Sequence, residues 1–456
     1  MNTVVIGLGT AILSVVLGVF MAFVIQKTDI YLRRTLSWIY LLPIFIPPYI
    51  YALTWNNIFY DCGLFRGISG TILVLSFCYF PFVTLLAISG LNSIDRRLEE
   101  AARISHNEFG VITKIVFPLL IPYVLAGGLL TFIFAISDYG VAGLMQVNVY
   151  TEEIFIEFSA FYEHSVAVVM AAPLVLVTLI LVLLQKHYMK KRSYVTITGY
   201  YKQGSIIHLG AWKWPVFLTI IAVIGSIVIT PIIILFFQAG GLNSYRMAIK
   251  TSYREIGTSL GLAIAGATLT VFISFFISYI IEKTQLKIKN TVDVLSVLPF
   301  AIPPTIIGIG LIKLWNRPAT GFVYGTSIVL MLVYVTVCSP FAIRVLCSNM
   351  KQVSANLEEA ALMVRINWIT RMRRIFLPLV MPGIKAGWVI SFVLCMRELG
   401  ASLLVMPPGK ETVPIKIYTL MHYGANKLVA SLSIILIVLT IIPILILNYV
   451  KIRKGH

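Results

Sequence analysis

The sequence predicts an all-α, polytopic membrane protein with about 11 transmembrane helices in two parallel repeats. Three observations carry this expectation. Of the 456 residues, 59% are hydrophobic and 12% charged, against about 45–50% and roughly 25% in soluble domains. Eleven apolar segments reach the roughly 20 residues needed to cross a bilayer as a helix. The second half of the chain also repeats motifs of the first in near-constant register.

The segments run approximately over 2–26, 35–55, 70–92, 118–137, 165–185, 212–237, 257–281, 291–314, 326–346, 378–397 and 426–450. The first is too long for the apolar region of a cleavable signal and has no basic residue before it, so it reads as a span. Lys27, Arg33 and Arg34 place the next loop in the cytoplasm, and alternation from there puts most of the 36 Lys and Arg on that side. The 18 acidic residues divide evenly, so Lys and Arg carry the bias, as the positive-inside rule requires. The N-terminus is expected outside, and the C-terminus, with its basic tail KIRKGH, inside. The net charge of +18 is spread among loops, which makes the bilayer a partner and leaves no nucleic-acid patch to argue from.

The repeat is read from its prolines. Leu42, Pro43, Ile46, Pro47 and Pro48 recur 256 residues later as Leu298, Pro299, Ile302, Pro303 and Pro304. Pro81 and Phe82 recur as Pro340 and Phe341, and Pro118, Pro122, Ala126 and Gly127 as Pro378, Pro382, Ala386 and Gly387. An even number of spans separates the copies, so they share one orientation and imply a pseudo-twofold axis along the membrane normal. The expected domains are a first repeat of five spans at 1–186, a basic cytoplasmic linker at 187–211 and a second repeat of six spans at 212–456. The first repeat thus lacks an opening helix. Pro47–Pro48 and Pro303–Pro304 each remove backbone hydrogen bonds inside a span, which predicts broken or kinked helices beside a central passage, with packing kinks as the alternative.

Two cytoplasmic loops occupy equivalent places, each after the third of the five spans its repeat shares with the other. The first reads IDRRLEEAARISHNEFGVITKIVFPLLIP and the second VSANLEEAALMVRINWITRMRRIFLPLVMP. Glu99, Glu100, Ala101 and Ala102 match Glu358, Glu359, Ala360 and Ala361. Leu98, Ala102, Ser105 and Phe109 fall at helical spacing, as do Leu357, Ala361, Val364 and Trp368, which predicts a short helix with one apolar face in each loop. Such a helix lies on lipid, connects two spans, or docks on a partner.

With these residues in view, the chain resembles the permease subunits of binding-protein-dependent ABC importers, whose cytoplasmic loop has the form E-A-A-x3-G-x9-I-x-L-P. In the second loop Glu359, Ala360, Ala361, Ile375, Leu377 and Pro378 fit. The first fits with Glu100, Ala101, Ala102, Ile115 and Pro118 after deletion of one residue. Both depart at the glycine, where His106 and Arg365 stand, although Gly110 lies nearby in the first loop. SDYGVAGL at 137–144 and RELGASLL at 397–404 resemble segments of the fused, two-copy ferric iron, thiamine and phosphonate permeases.

The resemblance implies a type I ABC importer permease fold in a bacterial inner membrane. It implies that Glu99, Glu100, Ala101, Ala102, Phe109, Gly110 and Pro118 in the first loop form one ATPase-coupling site. Glu358, Glu359, Ala360, Ala361, Arg365, Trp368 and Pro378 form the other. The partners would then be two copies of an ABC ATPase subunit and a substrate-binding protein. The chain has no G-x-x-x-x-G-K-[ST] loop, so it is expected to be no enzyme, with ATP and Mg held by the partner. The cargo expected is a small solute, ferric iron first, with thiamine or phosphonate as alternatives. A carrier driven by an ion gradient is the reading from another class.

Pro47, Pro48, Asp138, Tyr139, Pro303, Pro304 and Glu398 are the candidate translocation-path residues. Asp138 and Glu398 stand 260 apart, and hard carboxylate and phenolate oxygens suit a ferric ion; capping of helix ends is the competing role. Cys62, Cys78, Cys338, Cys347 and Cys395 read as small buried hydrophobes. The six histidines have no metal-ligand spacing, so no metal site is assigned.

Overall fold

The computed structural model describes residues 1–58, 66–191, 206–353 and 367–454. Nine helices among them are long and apolar enough to cross a membrane, and two further pairs bring the total to as many as eleven if each pair is one span. The described residues are helical throughout their regular structure, apart from one isolated backbone bridge between Thr28 and Ile207.

The chain divides into two units, Met1–Phe237 and Gln238–His456. The first contains Asn2–Lys27, the pair Arg33–Phe45 and Pro48–Asn56, then Gly67–Ser93, Glu108–Ser137 and His164–Lys191, and almost all of Gly210–Ala239. The second contains Leu242–Lys283, the pair Lys289–Ala301 and Pro304–Trp315, then Ile328–Lys351, Ile369–Arg397 and Asn426–Lys454.

One boundary departs from the repeat. The span expected at 212–237 belongs by sequence with the second repeat, yet it packs in the first unit. There Ile220, Ile224, Ile227 and Val228 share a buried cluster with Met21, Ile25, Leu36 and Phe80. Duplication order fixes which residues correspond; burial of apolar area fixes which helices adhere. Among the described residues, with each bent pair counted as one span, the first unit thus holds six candidate spans and the second five.

Between Gly7 and Gly18 of the first helix the buried residues are small and the exposed ones large. On Asn2–Lys27, Leu8, Ile12 and Val16 are exposed, whereas Gly7, Thr10, Ser14 and Gly18 are buried. Lipid is as apolar as leucine, so helices associate where small residues let backbones approach. Gly18 is one such place: a Cβ there would lie 2.6 Å from Val83 Cβ.

The paired prolines break their helices, by 91° in the first unit and 107° in the second. A proline restrains the residue before it to extended backbone. Ile302 (φ −101°, ψ 120°) precedes Pro303, and Pro303 (φ −53°, ψ 140°) precedes Pro304, so two consecutive residues leave the helical region. A single proline does not break the helix here: Pro81, Pro122, Pro340 and Pro382 sit inside helices that continue through them.

Candidate coupling and translocation site

The first of the two matched loops starts at Asp95, whose carboxylate accepts a hydrogen bond from Arg97 N at 3.0 Å and caps the helix Arg96–Arg103. Glu99 turns inward, with 2% of its side chain exposed, and pairs with the equally buried Lys27. Glu100 and Ala101 turn outward. Ala102 packs against the buried cluster of Ala87, Leu91, Val111 and Val116.

The single amphipathic helix expected from Leu98, Ala102, Ser105 and Phe109 is two helices. The first ends at Arg103, and a second begins at Glu108 with Asn107 as its cap, Asn107 Oδ1 accepting from Gly110 N at 2.9 Å. Arg103 closes the turn by a two-pronged pair with Glu108, at 2.7 and 3.1 Å. Gly110 serves this turn, since a Cβ on it would stand 3.0 Å from His106 Cβ. Leu98, Ile104 and Phe109 protrude, 50%, 90% and 73% exposed. Ile104 lies off the predicted stripe because the turn, which spacing alone does not reveal, carries it outward; Asn107 three residues before Gly110 was the available signal.

In the second loop Glu358, Glu359, Ala360, Ala361 and Arg365 lie outside the described residues. Trp368 opens the helix Trp368–Arg371. Asn367 accepts from Ile369 N at 3.3 Å, standing 260 residues after Asn107 in the same capping place. The wide π-turns Ile112–Val116 and Met372–Phe376 keep that offset, and Pro118 and Pro378 follow them near the start of the next helix. Phe109 therefore corresponds to Ile369, which is 64% exposed, rather than to Trp368. The one-residue difference between the loops falls between Ala102 and Asn107.

The candidate translocation-path residues are brought together within each unit. In the second, a Cβ on Gly400 would lie 3.1 Å from Pro304 Cβ and 3.8 Å from Glu398 Oε1. In the first, the helix beginning at Pro48 packs on Gly140–Leu144, with Tyr49 Cβ 3.6 Å from the Cβ position of Gly140. Both acids cap short helices. Asp138 Oδ1 accepts from Val141 N at 2.8 Å. Glu398 accepts from Ala401 N at 2.8 Å, from Ser402 N at 3.0 Å and from the Ser402 hydroxyl. Tyr139 is buried and stacked on Phe155 with centroids 5.0 Å apart.

Among the described residues, no group of three His, Cys, Asp or Glu side chains is placed to hold a metal ion. Cys78, Cys338, Cys347 and Cys395 are buried; Cys62 lies outside the described residues. A further polar cluster joins the end of the linker to the first helix. Asp29 accepts from Leu209 N at 3.1 Å and pairs with Lys213 at 3.1 Å and His208 at 3.4 Å. The Leu209 amide foremost, with Lys213 and His208, lowers the Asp29 carboxyl to about 2.

Residues 14–194 match a family described as the binding-protein-dependent transport system inner membrane component. A putative ferric transport system permease protein of Haemophilus influenzae is 25% identical over 438 residues, covering 87% of this chain and 68% of its own length. A ferric transport system permease protein of Actinobacillus pleuropneumoniae is 24% identical, covering 86% of this chain and 60% of its own length. The chain thus spans 60–68% of the lengths of these two relatives. The spermidine/putrescine transport system permease protein of Escherichia coli is 28% identical over 187 residues, covering 41% of this chain and 70% of its own length.

Proposed function

We propose that this chain, which belongs to the binding-protein-dependent permeases of ABC importers, passes ferric iron across the inner membrane. The iron is received from a substrate-binding protein and its passage is driven by two copies of a separate ATPase subunit. The observation that carries the coupling part is the first cytoplasmic loop. A capped helix, a charge-closed turn and three protruding apolar side chains, Leu98, Ile104 and Phe109, make a projection suited to a groove. Apolar anchors ringed by charge are what concentrates binding energy at an interface. The second repeat supplies an equivalent loop, hence two ATPase copies, with ATP and Mg held on those subunits. The N-terminus lies outside and the C-terminus in the cytoplasm, so that both loops face the ATPases.

For the passage, the candidate lining within each unit is its own bent segment, at Pro47–Pro48 in the first and at Pro303–Pro304 in the second, because a broken helix frees carbonyls that need protein or water beside them. Asp138 and Glu398 hold the short helices packed on those segments, and their action on cargo is to keep that lining in place. Ferric iron is favoured by the ferric transport relatives. Vesicles holding the purified permease, its ATPase and its binding protein are expected to take up radiolabelled ferric iron with two ATPase subunits per permease. Uptake of thiamine, phosphonate or polyamine in its place would move the cargo and leave the coupling reading intact; one ATPase copy per permease would overturn the two-loop assignment.

A further inference from the structure

We propose that Lys27 is a positioning residue for coupling: its buried ammonium, held by Glu99, makes the short loop helix move with the first transmembrane helix. Lys283 holds the same post in the second repeat. The inference rests on the permease reading above.

The two adjacent glutamates of the first loop part company. Glu100 faces out, while Glu99 is directed back toward the membrane helices and meets Lys27, the two side chains 2% and 3% exposed. Removing both charges from water is costly, and an apolar pair of similar volume would often serve stability as well or better. A buried pair is therefore better explained by what it specifies than by what it stabilises. What it specifies is the seat of an eight-residue helix, too short to hold its own conformation.

Lys27 is itself fixed from its other side. Its carbonyl accepts from Ile207 N at 2.7 Å, and Asp29 N donates to Ile207 O at 3.3 Å. Thr28 bonds back to Val24 O at 2.6 Å. The end of the first helix, the returning linker and the coupling helix thus converge on one residue. A shift of the first helix at this end carries the loop helix with it through a charge-assisted bond, whereas van der Waals contact alone would let it slip.

The second repeat supports this independently. Lys283 stands 256 residues after Lys27 in the matching sequence EKT against QKT. Its ammonium donates to Val353 O at 2.9 Å and lies 5.9 Å from the Phe376 ring. Val353 leads into the second loop, and Phe376 ends the π-turn that follows it. The equivalent lysine therefore reaches the loop of its own repeat in both cases, through a carboxylate within the loop helix in the first and through the backbone carbonyl that precedes the loop in the second.

The test compares, in vesicles with ATPase and binding protein present, the affinity of the ATPase subunit and the stimulation of ATP hydrolysis by the binding protein. Lys27→Met is expected to leave ATPase affinity within about threefold, because Leu98, Ile104 and Phe109 are untouched, and to cut stimulation about tenfold. Since Lys27→Met strands a buried carboxylate, the neutral pair Lys27→Met with Glu99→Gln is measured beside it and is expected to lose stimulation equally. The reversed pair, Lys27→Glu with Glu99→Lys, is expected to restore at least half. Stimulation unchanged in the neutral pair would overturn the proposal. So would equal falls in affinity and stimulation that the reversed pair does not restore, the mark of a fold-holding contact only. If the unsubstituted permease itself shows no stimulation, it is the permease reading that fails.

Discussion

The two repeats differ most where side chains meet and least where backbone alone decides. Ile46-Pro47-Pro48 and Ile302-Pro303-Pro304 are identical, and both break their helices, by 91° and 107°. The helix contacts around them have been exchanged. Gly18, pressed on Val83 in the first repeat, corresponds to Ser274, and Val83 to Ala342, so that one residue has grown where the other has shrunk. Thr10 and Leu75 correspond to Gly266 and Tyr334, and a Cβ on Gly266 would lie 2.7 Å from the Tyr334 ring. A proline acts through geometry no other residue supplies, whereas a packed pair needs only its summed volume kept.

The largest effect is expected from the backbone side of this comparison. Replacing both Pro303 and Pro304 by alanine frees two residues to become helical and removes a constraint of about 3 kcal/mol or more. Spin labels on either side of the break should then move apart toward a straight helix, and uptake should fall at least about tenfold. Pro304→Ala alone leaves Ile302 restrained by Pro303 and should keep most of the bend. If the double variant keeps the 107° bend, packing and not proline sets it.

The docking loop should come next. Ile104→Ser with Phe109→Ser removes two exposed anchors and should weaken ATPase association by about 1–3 kcal/mol in a binding titration, with the melting temperature unchanged because neither side chain is buried. A fall in melting temperature would show that the pair belongs to the fold.

The side-chain half of the comparison is sharpened by transplanting the first repeat into the second. Gly266→Thr should overpack Tyr334 and lower stability by about 1–3 kcal/mol, read as melting temperature in detergent. Adding Tyr334→Leu recreates the Thr10 and Leu75 combination and should recover most of the loss. Failure to recover would mean that the two pairs do not exchange volume.

The smallest effect concerns the linker clasp. The Asp29 carboxyl is lowered to about 2, so its contribution is present in full above the ordinary carboxylate value of about 3.9 and is lost as pH falls through 2. A spin-label distance between Tyr31 and Ile206 should stay constant from about pH 7 to 5 and lengthen only below about 4. Lengthening already at pH 6 would contradict the assignment of the clasp to the Asp29 carboxylate.

Spans, repeat and bent segments were legible because hydropathy, register and proline chemistry are written locally. The turn at residues 104–107 was hidden, since Leu98, Ala102, Ser105 and Phe109 continue the helical spacing straight through it. The Lys27–Glu99 pair was hidden by 72 residues of separation, and sequence spacing says nothing of which charge turns inward. Repeat order places the span expected at 212–237 with the second repeat, but it does not determine which unit that span packs on. Asp138 and Glu398 were legible as equivalent acids, but only geometry shows their oxygens accepting backbone N–H bonds.

The most direct test of the whole account is the energy source. In vesicles containing this permease, its ATPase subunit and its binding protein, uptake of bound cargo should require ATP, stop when the ATPase subunit is left out, and survive collapse of every ion gradient. Uptake that continues without ATP and stops when the gradient is collapsed would contradict it and make the chain an ion-driven carrier.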